Sequence, residues 1–481
     1  MTSRRLQTGL GTALALALGL ALRLWFVGHA ARIAGDTLIY GDIAINWLQH
    51  GVYGFSQTAA GPLPTLIRLP GYPIFLAACF RLFGIEHYTA VMYVQCVIDL
   101  LTCLLLSRLA CRLFGRRAAV ATLWLSVLCP FTASYVAAPL AETLTLTCIA
   151  LAFYGLERWR TAGLGFNRWL WIIAATLAYA LLLRPEQGML AAVVLPAMLW
   201  LTLPAPEAAP TPNLSPRRAL RAIAPVLVAA ACVLLPLVPW TVRNWRTFHV
   251  IQPLAPRYAT DPGETVPHGF QRWYRSWAID FASTEDVYWN YDGAAVEISD
   301  VPIRAFDTDE QYARTEAILA EYNLTDNASP ELDARFEALA RERIGDDPLR
   351  YYVALPVARL LNMAFRPRTE MLPIALEWWK AGEHWRQFFF AAAYAVLNLA
   401  YFVLGGIGLW RWRRRGWDGN PALAWAMIGS IALRCVLLLT LDNSEPRYTL
   451  EFFPVLLVWG GSILRTAPQN CPKIVPDPPK R

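Results

Sequence analysis

The chain groups its apolar residues in long runs that short polar segments separate. A run of about 20 apolar residues lets an α-helix cross a bilayer core, because a helix rises about 1.5 Å per residue. This length rule predicts about ten spans. They lie near residues 9–27, 90–110, 118–136, 140–157, 168–184, 188–203, 219–240, 387–410, 421–441 and 447–465. The runs are too long for barrel strands, so the pattern predicts an all-α polytopic membrane protein.

Arginine residues provide an independent test of the order of these spans. If Met1 is cytoplasmic, the clustered arginines fall in alternate loops, as the positive-inside rule requires. These residues are Arg4, Arg5, Arg112, Arg116, Arg117, Arg158, Arg160, Arg217, Arg218, Arg221, Arg411, Arg413, Arg414 and Arg415. We therefore expect both termini to be cytoplasmic and the long polar stretch 241–385 to lie outside.

The charge of the chain is distributed unevenly. Residues 241–385 hold 23 of the 36 acidic and 15 of the 43 basic residues, which gives this stretch a net charge of −8 and the remainder +15. The total of +7 therefore reflects topology. It gives no reason to expect nucleic acid as a partner.

The predicted spans divide the chain into four parts. These are a membrane domain (1–240) with a first outer loop (28–89), a periplasmic cap segment (241–385), C-terminal transmembrane helices (386–466) and a cytoplasmic tail (467–481). Helical spacing of apolar residues predicts helices near 307–322, 330–345 and 348–365. The stretch Ile74–Phe83 in the first loop is too short to cross, and we expect a helix in the membrane interface.

The N-terminal run has two interpretations. Arg4 and Arg5 before it and Ala30-Ala31 after it resemble a secretory signal, but its length favours an uncleaved span. The nine cysteines lie mostly in or beside spans, and no disulfide framework or metal-ligand spacing is visible. The sequence therefore predicts no required cofactor or metal site, although a divalent metal stays open.

Ionisable residues collect at the predicted outer ends of the spans. They are Asp36, Asp42, Arg68, Glu142, Arg184, Glu186, Arg243, Arg246, Glu445 and Arg447. A catalytic base requires a carboxylate, and a phosphate leaving group requires fixed cations, preferably arginine. The ordinary alternatives are solvated loop carboxylates and arginines that extend to lipid headgroups.

Two further charged residues lie within predicted spans. Asp99 is near the middle of the second span, and Arg434 lies within the ninth. A buried charge must be paired or neutralised, so we expect Asp99 to be protonated or to make a structural polar contact. The sequence leaves open whether Arg434 is its partner.

Six short motifs occur in order, each on the predicted outer side. They are Asp36-Thr-Leu-Ile-Tyr40, Arg68-Leu-Pro-Gly-Tyr-Pro73, Pro139-Leu-Ala-Glu142, Arg184-Pro-Glu186, Pro239-Trp-Thr-Val-Arg-Asn244 and Glu445-Pro-Arg-Tyr448. Together they resemble motifs of the GT-C membrane glycosyltransferases, a superfamily that includes protein mannosyltransferase-like, aminoarabinose transferase-like and rhizobial lipopolysaccharide galacturonosyltransferase-like enzymes. The resemblance covers nearly the whole chain and implies the GT-C fold.

The resemblance also implies roles for individual residues. It makes Asp36 the catalytic carboxylate, with Asp42 as the alternative. The residues expected to bind the donor phosphate are Arg68, Arg243 and Arg447. Glu142, Tyr40, Tyr72, Glu186 and Tyr448 are expected to form the second acidic and substrate-binding set. Family members often have two adjacent acidic residues at the first position, and Thr37 replaces the second here, which weakens any inference of a metal site.

The activity implied by this resemblance is inverting transfer of a sugar from a polyprenyl-phosphate donor. The acceptor would be a lipid, glycan or protein of the cell envelope, at the periplasmic face of a bacterial inner membrane. Membrane lipids are the other expected partners. Two alternatives stay open: a transporter or lipid flippase, and a non-catalytic scaffold of the same fold. The sequence shows no internal repeat of the kind from which many transporters are built.

Overall fold

The computed structural model describes residues 2–57, 61–203, 216–380 and 384–466, with the backbone alone defined at residues 2–8 and 216–219. The predicted cytoplasmic tail, 467–481, lies outside the described residues. Helices make up most of the described part, and the only strands in it form one short ribbon. The predicted all-α class is confirmed.

The helices are defined here in chain order. They are α1 (Thr2–His29), α2 (Asp36–His50), α3 (Gly71–Phe83), α4 (Tyr88–Phe114), α5 (Arg116–Val127), α6 (Pro130–Ala133), α7 (Glu142–Thr161), α8 (Arg168–Leu183), α9 (Gly188–Thr202), α10 (Pro216–Leu234), α11 (Leu237–Phe248), α12 (His268–Arg275), α13 (Phe281–Ser283), α14 (Asp309–Tyr322), α15 (Pro330–Asp346), α16 (Leu355–Phe365), α17 (Trp385–Arg414), α18 (Pro421–Leu439) and α19 (Phe453–Gly461). Short 3₁₀ turns include Ser134–Ala137, Pro185–Gln187 and Pro446–Phe452.

The two strands lie in the first outer loop. Strand β1 (Gly54–Phe55) pairs antiparallel with β2 (Leu63–Pro64), with Gly54 opposite Pro64. A Cβ atom added to Gly54 would overlap the Leu63 carbonyl. Only glycine therefore permits the two strands to approach this closely.

Five of the described helices are long and apolar enough to cross a membrane. They are Gly9–His29, Tyr88–Phe114, Leu220–Phe248, Trp385–Arg414 and Pro421–Leu439. A sixth candidate is the pair Arg116–Val127 and Pro130–Ala137, which is bent by 48° at its break. The chain is thus an integral membrane protein. Every predicted span coincides with helical structure, while the total of about ten crossings stays a prediction.

Prolines account for two breaks in the apolar helices. Pro130 begins the second half of the bent pair, and Pro236 separates α10 from α11. Proline lacks a backbone N–H and clashes with the preceding helical turn, so the helix restarts at such positions. The predicted seventh span, 219–240, coincides with α10 and the first part of α11, and its end in the membrane stays a prediction. Because α11 continues to Phe248, Arg243 and Arg246 lie within the helix rather than after it.

The chain forms two compact units. The first comprises Met1–Asp261, Ala400–Ile431 and Glu451–Arg481, and the second comprises Pro262–Leu399 and Ala432–Leu450. In the first unit, α4 packs against α1, α5 and α7, and α7 also packs against α8. Helix α19 packs against α4, α5 and α7. These apolar helices form the interior of the first unit.

The second unit has an aromatic core between α12 and α15. The Phe270 and Tyr291 rings stack with their centroids 3.7 Å apart, and Phe336 lies edge-on to Phe270 at 5.4 Å. A Cβ atom on Gly269 would overlap the Asp333 carbonyl, so glycine permits close packing of the two helices. The helices α14, α15 and α16 confirm the helices that were predicted near 307–322, 330–345 and 348–365.

A buried ion pair joins α1 to α4 in the first unit. Arg23 is fully buried, and its Nε donates to an Asp99 oxygen at 2.7 Å. The same guanidinium donates to the carbonyls of Gly19 and Val127, each at 2.8 Å. Asp99 is thus held in a structural contact, and its partner is Arg23, a residue that the span prediction did not single out.

We predict that Arg23→Leu destabilises the protein by about 3–5 kcal/mol, because it leaves the Asp99 carboxylate buried without its cation. The double variant Arg23→Leu/Asp99→Leu removes both charges and should recover most of this loss. Both effects are measured by unfolding the purified protein in detergent with heat or with a denaturant. A double variant as unstable as Arg23→Leu alone would contradict the explanation by charge pairing.

Candidate active site

The first outer loop places Asp36 in the first turn of α2. Gly35 precedes the helix with a φ of 54°, a conformation that favours glycine. The backbone N–H of Arg32 donates to the Ala137 carbonyl at 2.9 Å, which ties this segment to the turn after α6. A carboxylate at a helix N-terminus is stabilised by the helix dipole.

Asp36 forms an ion pair with Arg68. An Arg68 Nη2 atom lies 2.8 Å from Asp36 Oδ1, and the two side chains are 22% and 21% exposed. The Arg68 guanidinium carbon also lies 5.9 Å from the centre of the Tyr40 ring. This carboxylate and this cation are therefore in direct contact at a position that small molecules can reach.

The segment after Arg68 packs tightly on the end of α8. Gly71 begins α3, and a Cβ atom there would overlap the backbone of Leu182. The Tyr179 hydroxyl donates to the Gly71 carbonyl at 3.2 Å. Because α8 ends at Leu183, this close approach brings the first loop next to Arg184.

Two tyrosines line the interior side of the Asp36–Arg68 pair. The rings of Tyr40 and Tyr72 meet edge to face, with centroids 5.1 Å apart. The Tyr72 hydroxyl donates to Gln95 at 2.8 Å, and Gln95 in turn donates to the carbonyls of Val136 and Ala138. Tyr72 is therefore held in place through α4 and the turn after α6.

A second ionic group contains Arg184 and two glutamates. Arg184 donates to Glu142, the buried first residue of α7, and its Nη1 lies 3.6 Å from Glu186 Oε1. Glu186 belongs to the 3₁₀ turn that directly follows Arg184, and its side chain is 26% exposed. The guanidinium thus balances one buried and one partly exposed carboxylate.

Tyr40 links the two ionic groups. Burial raises the pKa of the Tyr40 phenol, and the neighbouring charges of Arg68, Asp36, Arg184 and Glu142 also act on it. All four charges therefore lie near one phenol, which stays protonated at neutral pH. We call Asp36, Tyr40, Arg68, Tyr72, Glu142, Arg184 and Glu186 the carboxylate–arginine cluster.

Asp42 lies in a separate set of contacts. Its carboxylate accepts hydrogen bonds from the Ser56 backbone N–H at 2.8 Å, the Ser56 hydroxyl at 2.5 Å and the Asn46 amide at 3.0 Å. These contacts fasten α2 to the residues after β1. The geometry of Asp42 is that of a carboxylate that orders a loop.

Arg243 also orders the first loop. Its guanidinium donates to the carbonyls of Tyr53 and Thr65, each at 2.7 Å, and lies against the Tyr53, Trp240 and Phe248 rings. Nearby, the Leu66 backbone N–H donates to the Asp261 carboxylate at 2.8 Å, a contact between residues 195 positions apart in the sequence. Arg243 therefore connects α11 to both sides of the β-ribbon.

The last motif belongs to the second unit. Arg447 forms an ion pair with Glu445, and its guanidinium carbon lies 5.7 Å from the centre of the Tyr448 ring. Arg434 donates to the Tyr448 carbonyl at 3.0 Å. Arg434 thus holds the last motif in place.

Among the described residues, no group of three or more His, Cys, Asp or Glu side chains is arranged to hold a metal ion. The glutamates of the carboxylate–arginine cluster are balanced by Arg184. This pairing suits the binding of a polar organic ligand, whose hydroxyl groups can donate to the carboxylates.

Sequence reasoning did not assign a role to two residues that organise the cluster. Arg184 was named among the ionisable residues at the outer ends and in a motif, but it was given no role, although it is the cation that both glutamates share. Gln95 lies in a long apolar helix and is fully buried. A buried amide in such a helix is a signal in itself, because it requires hydrogen-bond partners.

A family comparison supports the assignment indicated by the motifs. Residues 68–242 match the profile of the family described as dolichyl-phosphate-mannose-protein mannosyltransferase. The matched segment includes Arg68, Tyr72, Glu142, Arg184 and Glu186. The match agrees with the resemblance to the GT-C membrane glycosyltransferases that the motifs indicate. No curated protein matches the chain.

Solved structures resemble the chain at low sequence identity. ArnT from Cupriavidus metallidurans in the apo state has a TM-score of 0.37 and 16% identity, with 96% of this chain and 78% of that chain covered. ArnT bound to undecaprenyl phosphate gives the same score and identity, with 95% and 78% covered. An Archaeoglobus fulgidus oligosaccharyltransferase tethered with an acceptor peptide has a TM-score of 0.46 and 13% identity, with 94% of this chain and 48% of that chain covered. This chain therefore spans about half the length of that protein.

We predict that Gly71→Ala destabilises the protein by about 1–3 kcal/mol, since the added methyl group overlaps the Leu182 backbone. Thermal unfolding in detergent measures the loss. Gly28→Ala is the matched control, because Gly28 lies in α1 with nothing within 4 Å of its added Cβ, and alanine favours a helix. Equal stability of the Gly71 variant and the wild type would contradict the close contact.

Proposed function

We propose that this protein transfers a sugar from a polyprenyl-phosphate donor to a cell-envelope acceptor at the periplasmic face of a bacterial inner membrane. The observation that supports this most is the contact between Asp36 and Arg68, 2.8 Å apart and partly exposed. One supplies a base and the other a cation for phosphate, the two groups that such a transfer requires. In this topology both chain termini are cytoplasmic.

The class of donor rests on the family match and on chemistry. The matched family is described by a donor in which mannose is attached to a lipid phosphate, dolichyl phosphate. Nucleotide sugars are confined to the cytoplasm, so an enzyme with an outer active site requires a lipid-linked sugar. The acceptor would be a lipid, a glycan or a protein that presents a nucleophilic hydroxyl group.

The proposed reaction is a single displacement. The acceptor oxygen attacks the anomeric carbon of the donor sugar while Asp36 accepts the proton of that hydroxyl. The bond between the anomeric carbon and the phosphate oxygen breaks, and the polyprenyl phosphate leaves with the electron pair. The sugar is thereby transferred with inversion of its configuration. General-base assistance of this kind contributes about 10²–10⁴-fold to the rate.

Arg68 has two roles in this scheme. Without donor, its guanidinium pairs with Asp36. A donor phosphate would compete for the same guanidinium through charge-assisted hydrogen bonds, which leaves the Asp36 carboxylate available to accept a proton. As the phosphate leaves, Arg68 stabilises the negative charge that develops on it.

The remaining residues of the carboxylate–arginine cluster form the proposed sugar-binding wall. Glu186 is partly exposed and supplies oxygens that accept hydrogen bonds from sugar hydroxyls. Tyr40, Tyr72 and Glu142 are buried and support this wall from behind. Arg184 pairs with both carboxylates and holds them in position. We propose that Asp42 and Arg243 act on the order of the first loop, because their hydrogen bonds go to the loop itself.

We predict that Asp36→Asn lowers sugar transfer at least about 10²-fold, because the amide cannot accept the proton. Cells that lack the protein are complemented with the wild type or the variant, and mass spectrometry quantifies the envelope glycolipids and glycoproteins that depend on it. Membrane level and melting temperature of the purified variant check that it folds and inserts.

Asp42→Asn is the matched comparison for that experiment, since it removes a carboxylate from the same helix. We expect it to lower the melting temperature, because two of its three hydrogen-bond donors lie in Ser56, and to retain more transfer per folded molecule than Asp36→Asn. Wild-type transfer by Asp36→Asn together with an inactive, folded Asp42→Asn protein would assign the base to Asp42.

We predict that Arg68→Gln weakens the binding of polyprenyl phosphate about tenfold or more, because the variant loses a charged donor to the phosphate. Quenching of tryptophan fluorescence during titration with the lipid phosphate, in detergent, measures the affinity without knowledge of the sugar. Arg246→Gln is the control. Arg246 is exposed on α11, and its substitution removes the same charge from the protein. Equal weakening by both variants would indicate nonspecific attraction and contradict the role of Arg68.

A further inference from the structure

A polar cavity lies at the other end of the helices in the first unit. Its volume is about 380 Å³, and its walls include Arg112, Glu157, Arg160, Trp412, Asp418 and Arg465. Helix α7 runs from the carboxylate–arginine cluster to this cavity. Glu142 of the cluster begins the helix, and Glu157 of the cavity lies 15 residues further along it. At 1.5 Å per residue the separation is about 22 Å, so this is a distinct site.

The two carboxylates of the cavity already have their hydrogen bonds. Glu157 accepts from Arg160 at 2.9 and 3.1 Å and from the Asn420 amide at 2.8 Å. Asp418 lies 2.9 Å from Arg465 Nη2 and 3.3 Å from Arg415 Nε. Both acids are thus engaged by side chains of the walls.

Several donors in the walls, by contrast, lack acceptors. Within the described residues, no acceptor is present for Arg112 Nε, Arg465 Nε or the indole N–H of Trp412. Arg112 Nε lies 3.9 Å from the Glu157 carboxylate, which is beyond hydrogen-bond distance. Trp412 is fully buried and lines the cavity, and its N–H has no acceptor from the described residues. Buried donors without acceptors are unfavourable, and a ligand that supplies acceptors would relieve them.

The unsatisfied groups specify the chemistry of such a ligand. They are donors only, and the three arginines of the walls outnumber the two carboxylates. A phosphate group, which carries negative charge and several acceptor oxygens, meets both requirements. The volume is many times the roughly 30 Å³ that one water molecule occupies, so a phosphate with an ester substituent fits.

We propose that this cavity binds a phosphate group, carried by an anionic phospholipid headgroup or by free inorganic phosphate. Arg112 and Arg160 belong to the clusters of positive charge found in the sequence, and such clusters favour anionic lipid surfaces. The side chains of Arg112, Arg160 and Arg465 remain 24%, 34% and 31% exposed, so the site is accessible from the ends of the helices. This binding does not depend on the proposed sugar transfer.

The test measures the melting temperature of the full-length protein, purified in phosphate-free detergent. Phosphatidylglycerol, phosphatidylcholine and inorganic phosphate are titrated separately. We expect a saturable rise with phosphatidylglycerol that exceeds the rise with zwitterionic phosphatidylcholine. An equal saturable rise with inorganic phosphate identifies free phosphate as sufficient, whereas a rise with phosphatidylglycerol alone identifies the headgroup. No saturable rise with any of the three would overturn the proposal.

Variants locate the effect in the cavity. Arg112→Gln and Arg465→Gln should each weaken the apparent affinity about tenfold. Arg413→Gln is the matched control. Arg413 is exposed on α17 next to Trp412 in the sequence, and its substitution removes the same charge from the protein. Equal weakening by Arg413→Gln would overturn the assignment to the cavity.

Trp412→Phe removes the indole N–H from the cavity wall. Phenylalanine retains the aromatic contacts with Phe114 and Trp417, whose rings lie 5.2 and 5.6 Å from that of Trp412. Without ligand, the variant should melt somewhat below the wild type, since the smaller ring leaves buried space unfilled. Its apparent affinity should fall about threefold. A variant that binds with unchanged affinity would exclude the indole N–H from the site.

Discussion

A charged side chain within or beside a bilayer is stable only when a partner compensates for its lost hydration. Guanidinium groups supply that compensation throughout the first unit. Arg23 pairs with Asp99 between two apolar helices, and Arg184 pairs with Glu142 at the start of α7. Arg68 pairs with Asp36 in the first loop. One kind of interaction therefore stabilises the interior and also assembles the polar cluster to which we assign sugar transfer.

The helices could be predicted because their cause is local. A run of apolar residues long enough to cross a bilayer leaves the backbone no alternative to internal hydrogen bonds, so every predicted span coincides with helix. The members of the cluster could also be nominated, since the motifs follow the predicted outer ends. Asp36 and Arg68 are separated by 32 residues, and their contact depends on Gly71 packing on α8, which no spacing rule contains.

The pairing of particular side chains could not be predicted from the sequence, because it depends on contacts between distant segments. Arg23 is one charge in a long apolar run, and only the packing of α1 on α4 shows that it faces Asp99. The hydrogen bonds of Asp42 and Arg243 end on groups of a loop whose path the sequence does not define. The sequence also suggests that Arg243 and Arg246 follow the apolar segment of the seventh span, and it does not show that α11 continues through both residues.

The attachment of the first loop to Arg243 affects how mutational scans of this protein should be interpreted. Between α2 and α3, the described secondary structure of this loop is a ribbon of two residues per strand, and a side chain from α11 holds two carbonyls beside it. Truncating that side chain would release the segment that carries Arg68. A screen scored by activity alone would then rank Arg243 with residues that touch substrate, although its contribution is mechanical support.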